Sequence, residues 1–317
     1  MVSTAVPKTT SPGESGPAPI AFFAFKRADH TRSALEALAR NPEWTSSPLH
    51  IYCDGARNEA EREDVARTRA VVRALKHPLK TIVSSDGNLG LAASIMRGVG
   101  ELVQRHGRVI VVEDDLVVSP GFLDYMNAAL VRYKDEPRVL QVSGHMFPLD
   151  LTSFGDAVML PFTTTWGWAT WARAWQADLR NPMEATRCLA DFSWRYRFDL
   201  DGAYPYARML ADQMRGRKDS WGIWWYFHVF QRHGLVVYPT HTLVRNDGFD
   251  GSGTHCGIDV RHAEVEFGLR TPTRLPPASD MPQVAALVRD YVLQSRGFAR
   301  RVKDRWTRFF PSNPMAG

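Results

Sequence analysis

At 317 residues and 44% hydrophobic content, with 39 basic and 34 acidic side chains giving +5, the chain is long enough for one large or two small domains with a sizeable core. No apolar stretch reaches the roughly 18–20 residues of a membrane-spanning helix, and three widely spaced cysteines, Cys53, Cys188 and Cys256, supply neither a disulfide framework nor a zinc-ligand spacing. Seven basic and two acidic residues follow Val288, the same +5 as the whole chain, which leaves 32 against 32 upstream and no basic face for nucleic acid.

Residues 1–19 are rich in Pro, Ser, Thr and Gly, lack the apolar segment of a secretion signal, and read as a disordered leader. Residues 20–25 (IAFFAF) predict a first strand, followed by a helix from Asp29, a plausible N-cap, to about Arg40. Residues 49–53 predict a second strand ending at Asp54-Gly55, then a charged helix over 59–75, a weak strand at 80–83 and a polar turn at 84–88. A helix over 89–104 leads to a strand at 108–112. Pro120, with Ser119 as cap, opens a helix to about 133, and a further strand covers 138–142. This alternation gives an α/β fold with a doubly wound, mostly parallel sheet. After about 150 the character changes: eight of the ten tryptophans lie between Trp166 and Trp225, and helices are expected near 168–176, 185–196, 203–212 and 221–232. A strand at 235–238 precedes a glycine-rich stretch, 246–255, read either as a plain linker or as a loop that a ligand orders. Residues 271–282 read as a Pro-rich linker, and 283–310 as a basic amphipathic helix.

The densest chemical signal is Val109-Ile110-Val111-Val112-Glu113-Asp114-Asp115. A continuous apolar run fits a strand covered on both faces, so the three acids fall at its C-terminal end, where open α/β sheets bind ligands. Carboxylates there suit Mg2+ or Mn2+, hard cations that keep open positions for phosphate oxygens; the plain alternative is a solvated turn. Asp54 and Lys26-Arg27 end strands on the same edge. Trp166-Gly167-Trp168-Ala169-Thr170-Trp171 offers indole faces that stack on sugars or flat bases. Trp171 and Trp175 are expected mainly in the core, with Trp166 and Trp168 nearer a pocket. Asp219, before Trp221 and the run Trp224-Trp225-Tyr226-Phe227, reads either as a helix N-cap or as a general base that takes a proton from a hydroxyl. His255 lies in the glycine-rich stretch, where backbone N–H groups could fold over a diphosphate.

With these residues in view, the chain resembles GT-A fold glycosyltransferases, in particular bacterial family 2-like surface-polysaccharide transferases and, more remotely, N-acetylglucosaminyltransferase I. The resemblance rests on VVEDDLVVSPGFLDYMNAAL (111–130), NLGLAAS (88–94), WGWATW (166–171), DSWGIWWYFHVFQRHGLVVYP (219–239) and NDGFDGSGTH (246–255), and covers about 20–257. It implies a nucleotide-diphospho-sugar transferase fold, a nucleotide-sugar-binding half at 20–150 and an acceptor half of the same domain at 151–270. It implies that Asp115 is the metal ligand and that Glu113 and Asp114 lie near the ribose and sugar. Arg27, Asp54 and Asn88 are implied on the nucleotide side and His255 over the diphosphate. Trp166, Gly167, Trp168 and Trp221 are implied in the substrate pocket, and Asp219 as base of an inverting mechanism. Trp224 departs from the bacterial pattern, which often carries an arginine there, and this bears on donor or acceptor identity.

The expected activity is therefore Mn2+- or Mg2+-dependent transfer of a hexosyl unit from a nucleotide-diphosphate donor, UDP-linked by resemblance, to a glycan or lipid-linked acceptor in O-antigen, capsule or exopolysaccharide synthesis. The expected location is cytoplasmic, peripheral at the inner face of the plasma membrane. Residues 288–310, with Val292, Ala299, Val302, Trp306 and Phe309-Phe310 near one face, would either meet an anionic membrane or pack on the domain. The alternatives are a sugar nucleotidyltransferase, which would want a glycine- and lysine-rich loop that 24–32 lacks, or a non-catalytic carbohydrate-binding protein on the same fold.

Overall fold

The computed structural model describes residues 16–176, 179–248, 267 and 271–295. Strands β1 (Ile20–Ala24), β2 (Leu49–Cys53), β3 (Lys80–Ser84), β4 (Arg108–Glu113), β6 (Val139–Ser143), β7 (Ala157–Leu160), β8 (Trp168–Trp171) and β9 (Leu235–Pro239) form one eight-stranded sheet in the order β3-β2-β1-β4-β8-β6-β9-β7. Four of its seven pairings are parallel (β3·β2, β2·β1, β1·β4 and β6·β9), and β8 and β7 supply the antiparallel ones. A second, two-stranded antiparallel ribbon joins β5 (Leu116–Val118) to β10 (Val244–Asn246). The fold is α/β with a mostly parallel central sheet, and strands from both sides of residue 150 share it.

The apolar runs are continuous because both faces of the sheet are covered. In β1, Ile20, Phe22 and Ala24 join one core with α1 (Ala28–Ala39) and α4 (Phe122–Arg132), while Ala21 and Phe23 join the other. That second core also takes α3 (Leu91–His106), the helices α5 (Pro182–Ala190), α6 (Phe192–Phe198), α7 (Tyr206–Met214) and α8 (Trp221–Gln231), and α9 (Pro282–Ser295). The charged helix α2 (Arg62–Ala74) follows a 3-10 turn at Glu59–Glu61 and packs on α1. Each fully buried Val, Ile or Phe in such a layer contributes about 1.5–3 kcal/mol.

Several expectations are corrected. The segment expected as a helix at 168–176 begins with strand β8, inserted between β4 and β6. The 168, 171, 175 spacing looked helical, but the two-residue alternation decides: Trp168 enters one core, Ala169 and Trp171 the other. Asp29 is not the N-cap; α1 starts at Ala28 after Arg27, and Asp29 pairs with Arg32 inside the first turn. Ser119 caps no helix, because its N–H donates to Leu243 O and prolongs the β5·β10 ribbon; α4 begins at Phe122. The helix expected at 185–196 is two helices, since Asp191 accepts from the N–H groups of Ser193 and Trp194 and starts α6. Ala18 is fully buried and Pro19 O accepts from Ile110 N, so residues 18 and 19 belong to the sheet's surroundings and not to the expected leader; residues 1–15 lie outside the described residues. The Pro-rich segment is held on the domain by Tyr133 Oη donating to Pro276 O (2.6 Å) and by the Arg138–Asp280 ion pair (2.8 Å). Val284, Val288 and Val292 of α9 are buried, so this part of its apolar face packs on the domain; residues 296–310 lie outside the described residues. Among the described residues no helix is long and apolar enough to cross a membrane.

His50 and His106 lie ring to ring at 6.0 Å at the opposite end of the sheet from the acids. Burial lowers both below the ordinary histidine value of 6.5, helped by His106 and Arg105 for the first and by Arg105 for the second. The unfolded chain therefore binds protons more readily than the folded one as pH falls through that value. Stability should drop between neutral pH and about pH 5, and a chain with both histidines changed to Gln should lose part of that slope in urea unfolding.

Candidate functional site

The C-terminal ends of β1, β2, β3 and β4 lie side by side, and each delivers polar residues. Glu113 pairs with Phe23 as the last residue of β4, so Asp114 and Asp115 project just past the sheet. Asp114 is 5% exposed. Its Oδ2 accepts from Phe25 N at 3.2 Å, and its Oδ1 accepts from Arg27 Nη2 at 2.5 Å. The same Nη2 donates to Asp115 Oδ2 at 2.9 Å. Arg27 thus bridges two of the three acids. Burial pushes the Asp114 carboxyl upward against the pull of Arg27, and burial with two acidic neighbours raises Glu113 well above the usual carboxylate range. The opposing carboxylates raise Arg27 in spite of its burial.

Beside the acids lies a cleft of about 150 Å3 lined by Asp29, His30, Ser33, Asp114, Asp115 and Asp247. The β5·β10 ribbon brings in residues 246–248: Asp247 N donates to Asp115 O (2.8 Å), and Gly248 N donates to Asn246 Oδ1 (2.8 Å). A Cβ on Gly248 would stand 2.4 Å from Asp115 Oδ2, so only glycine lets the backbone lie on that carboxylate. Asp247 is itself held by Arg245 through two bonds of 2.6 and 3.0 Å.

Asp54 accepts from the N–H groups of Gly55, Leu89 and Gly90 at 2.9, 2.8 and 2.9 Å, which fixes the turn entering α3. Asn88 Nδ2 donates to Gly55 O at 2.8 Å. Two of the three residues expected on the nucleotide side, Asp54 and Asn88, therefore bind the backbone of this turn, and the third, Arg27, binds the acids. Gly90 has φ +80°, which favours glycine, and a Cβ there would lie 3.8 Å from Asp219 Oδ2. Asp219 is exposed and caps no helix: Ser220 occupies the cap position of α8. A residue from the second half of the chain thus reaches the strand edge that carries Asp54.

The tryptophans divide. Trp166 is half-buried, its ring 4.6 Å from that of His145, and Gly167 (φ +58°) packs against Val244 and Phe122 beside β10. Trp168 and Trp221, expected in a pocket, are buried and stack at 5.3 Å within a cluster that includes Trp175 and Trp225. Large apolar rings on inward positions are drawn into the core first. Trp171 and Trp175 are core residues as expected. His255 lies outside the described residues.

The side chains at the cleft are mostly carboxylates with no thiolate, the chemistry of Mg2+ or Mn2+. Among the described residues no three ligating side chains converge, so a closed all-protein cage does not fit. A cation held through Asp115 with phosphate oxygens completing its shell does fit. Sequence reasoning missed His30, Ser33 and Gly248; the Asn246-Asp247-Gly248 signature was visible, but its pairing with β5 was not.

The family model described as the GNT-I family matches residues 1–146, just under half of the chain. No curated protein matches the chain. Among solved structures, a mycobacterial protein is 16% identical (41% of this chain and 40% of that one covered, TM-score 0.28). Glucosyl-3-phosphoglycerate synthase from Mycobacterium tuberculosis, in complex with Mn2+, UDP and glucosyl-3-phosphoglycerate, is 12% identical (50% and 57%, TM-score 0.33). The mannosyltransferase PcManGT from Pyrobaculum calidifontis, in complex with GDP-Man and Mn2+, is 10% identical (97% and 92%, TM-score 0.40). The chain spans less than two thirds of the first two proteins.

Gly55 sets the close approach of the two turns, since a Cβ there would meet Gly87 C at 2.5 Å and Asp86 O at 2.8 Å. Gly55→Ala should cost about 1–3 kcal/mol in urea unfolding. Gly87→Ala, which meets nothing within 4 Å, should stay within about 0.5 kcal/mol of the parent.

Proposed function

We propose that the chain is a GT-A-type glycosyltransferase that moves a sugar from a nucleoside-diphosphate donor, UDP-linked in our reading, to a hydroxyl of a glycan or lipid-linked acceptor, with inversion. The observation that carries this reading is the convergence of Asp219, Asp54 and the Asp114-Asp115 pair on one sheet edge, although 165 positions separate Asp54 from Asp219. The match of the N-terminal half to the GNT-I family supports it.

In this reading Asp54 and Asn88 hold the turn at 88–90 against which the nucleoside lies. Glu113, whose carboxyl is pushed well above the usual range by burial and its two acidic neighbours, lies with Asp114 on the side of the donor's ribose and sugar hydroxyls. Asp115 is the residue that would hold Mn2+ or Mg2+, and the cation would offset charge on the leaving diphosphate. Asp219, solvent-facing, accepts the proton of the acceptor hydroxyl as its oxygen bonds to the anomeric carbon and the bond to the diphosphate oxygen breaks. Trp166 and Gly167, beside β10, form the acceptor-side wall; Trp168 and Trp221 support it from the core. The six basic residues between Arg296 and Arg308 suit an acceptor presented at an anionic membrane surface, as in bacterial surface-polysaccharide synthesis.

Two variants separate the roles. Asp219→Asn should abolish transfer while UDP still binds in calorimetry, and Asp115→Ala should lose the Mn2+-dependent part of UDP binding. Transfer by Asp219→Asn at a rate near the parent's would overturn the base assignment.

A further inference from the structure

Arg27 holds an unusual position for a cation. One of its terminal nitrogens, Nη2, is shared between Asp114 Oδ1 (2.5 Å) and Asp115 Oδ2 (2.9 Å). The other, Nη1, is buried with no hydrogen-bond partner among the described residues. It faces the turn that borders the cleft: a Cβ on Gly248 would lie 3.0 Å from Nη1 and 2.4 Å from Asp115 Oδ2. Guanidinium, two carboxylates and the 247–248 backbone are packed together, so a divalent cation approaching Asp115 meets a like charge already bonded to its Oδ2. A buried guanidinium with an unused fork is also a ready donor to an anion with paired oxygens.

We propose that Arg27 is a displaceable internal counter-ion, a positioning residue that neutralises Asp114 and Asp115 until a divalent cation reaches Asp115, and then binds the diphosphate that accompanies the cation. The inference rests on the metal-dependent reading above and adds to it a coupling. Cation alone must compete with Arg27 and binds weakly. Cation with diphosphate gives the displaced guanidinium a new partner and binds strongly, each ligand raising the affinity of the other by the same factor. The site thereby avoids both a bare acid pair and a cation held without substrate.

The test is calorimetry of the full chain with MnCl2, alone and with pyrophosphate, for the parent, Arg27→Met, Arg27→Gln and Arg27→Lys. With MnCl2 alone, the two neutral variants should bind Mn2+ at least roughly tenfold more tightly than the parent, the scale of one close charge pair. Arg27→Lys, which keeps the charge, should bind Mn2+ as weakly as the parent, and pyrophosphate should strengthen binding more in the parent than in the neutral variants. A purely structural arginine would give the opposite sign, with weaker Mn2+ binding on its loss. Neutral variants that fold cooperatively yet bind Mn2+ no better than the parent overturn the proposal. If both neutral variants fail to fold, Arg27→Lys decides: Mn2+ binding much tighter than the parent's overturns it, and parent-like binding with the pyrophosphate effect retained supports it. A parent that binds no Mn2+ even with UDP removes the metal-dependent reading and this proposal together, whereas Mn2+ binding that folded neutral variants leave unaltered removes only this one.

Discussion

A carboxylate that is only 5% exposed needs a cation, and the placement of Arg27 against Asp114 is the constraint around which this strand edge is organised. The demand comes from the fold. Parallel pairing of β1 with β4, covered by helices on both faces, carries the apolar run to Val112 and leaves the next residues at the lip of the sheet with little water. Phe25 N and the Arg27 side chain, both just past the end of β1, are the nearest donors. The β5·β10 ribbon then closes over the acids, with Asp247 N donating to Asp115 O and Gly248 lying against the Asp115 carboxylate where a larger residue would clash.

The first half of this architecture was legible in the sequence. The runs IAFFAF, LHIYC and VIVV are apolar without alternation, as buried parallel strands require, and the acids fell where the strand had to end. Asp54 was legible as a strand-end group; its three backbone N–H partners were not, because they depend on where Leu89 and Gly90 return in space. The second half misled for a physical reason. Tryptophans satisfy a helical spacing and a strand alternation equally well over six residues, and only the vacancy between β4 and β6 decides for the strand. Short strands such as Leu116–Val118 and Val244–Asn246 have too few residues to show a period at all. The same limit explains Trp168 and Trp221: their chemistry suits a sugar, yet their inward positions commit them to the core.

Position, more than residue type, gives the site its direction. Asp219 differs from many exposed aspartates in lying close to Gly90, at the start of a helix held by Asp54. Asp115 differs from an ordinary turn acid in sharing a guanidinium with a buried neighbour and lying beneath a glycine. In the proposed reading, together they set a cation-and-diphosphate end and a solvent-facing carboxylate along one edge, the arrangement that group transfer from a diphosphate leaving group asks for.

The central claim is most directly tested by incubating the full chain with a panel of nucleotide sugars and Mn2+ and measuring release of free nucleoside diphosphate. The account predicts release from one donor class, UDP-linked, dependent on the cation and abolished by its chelation. Absence of release from every nucleotide sugar, with no binding of UDP in the presence of Mn2+, would contradict it.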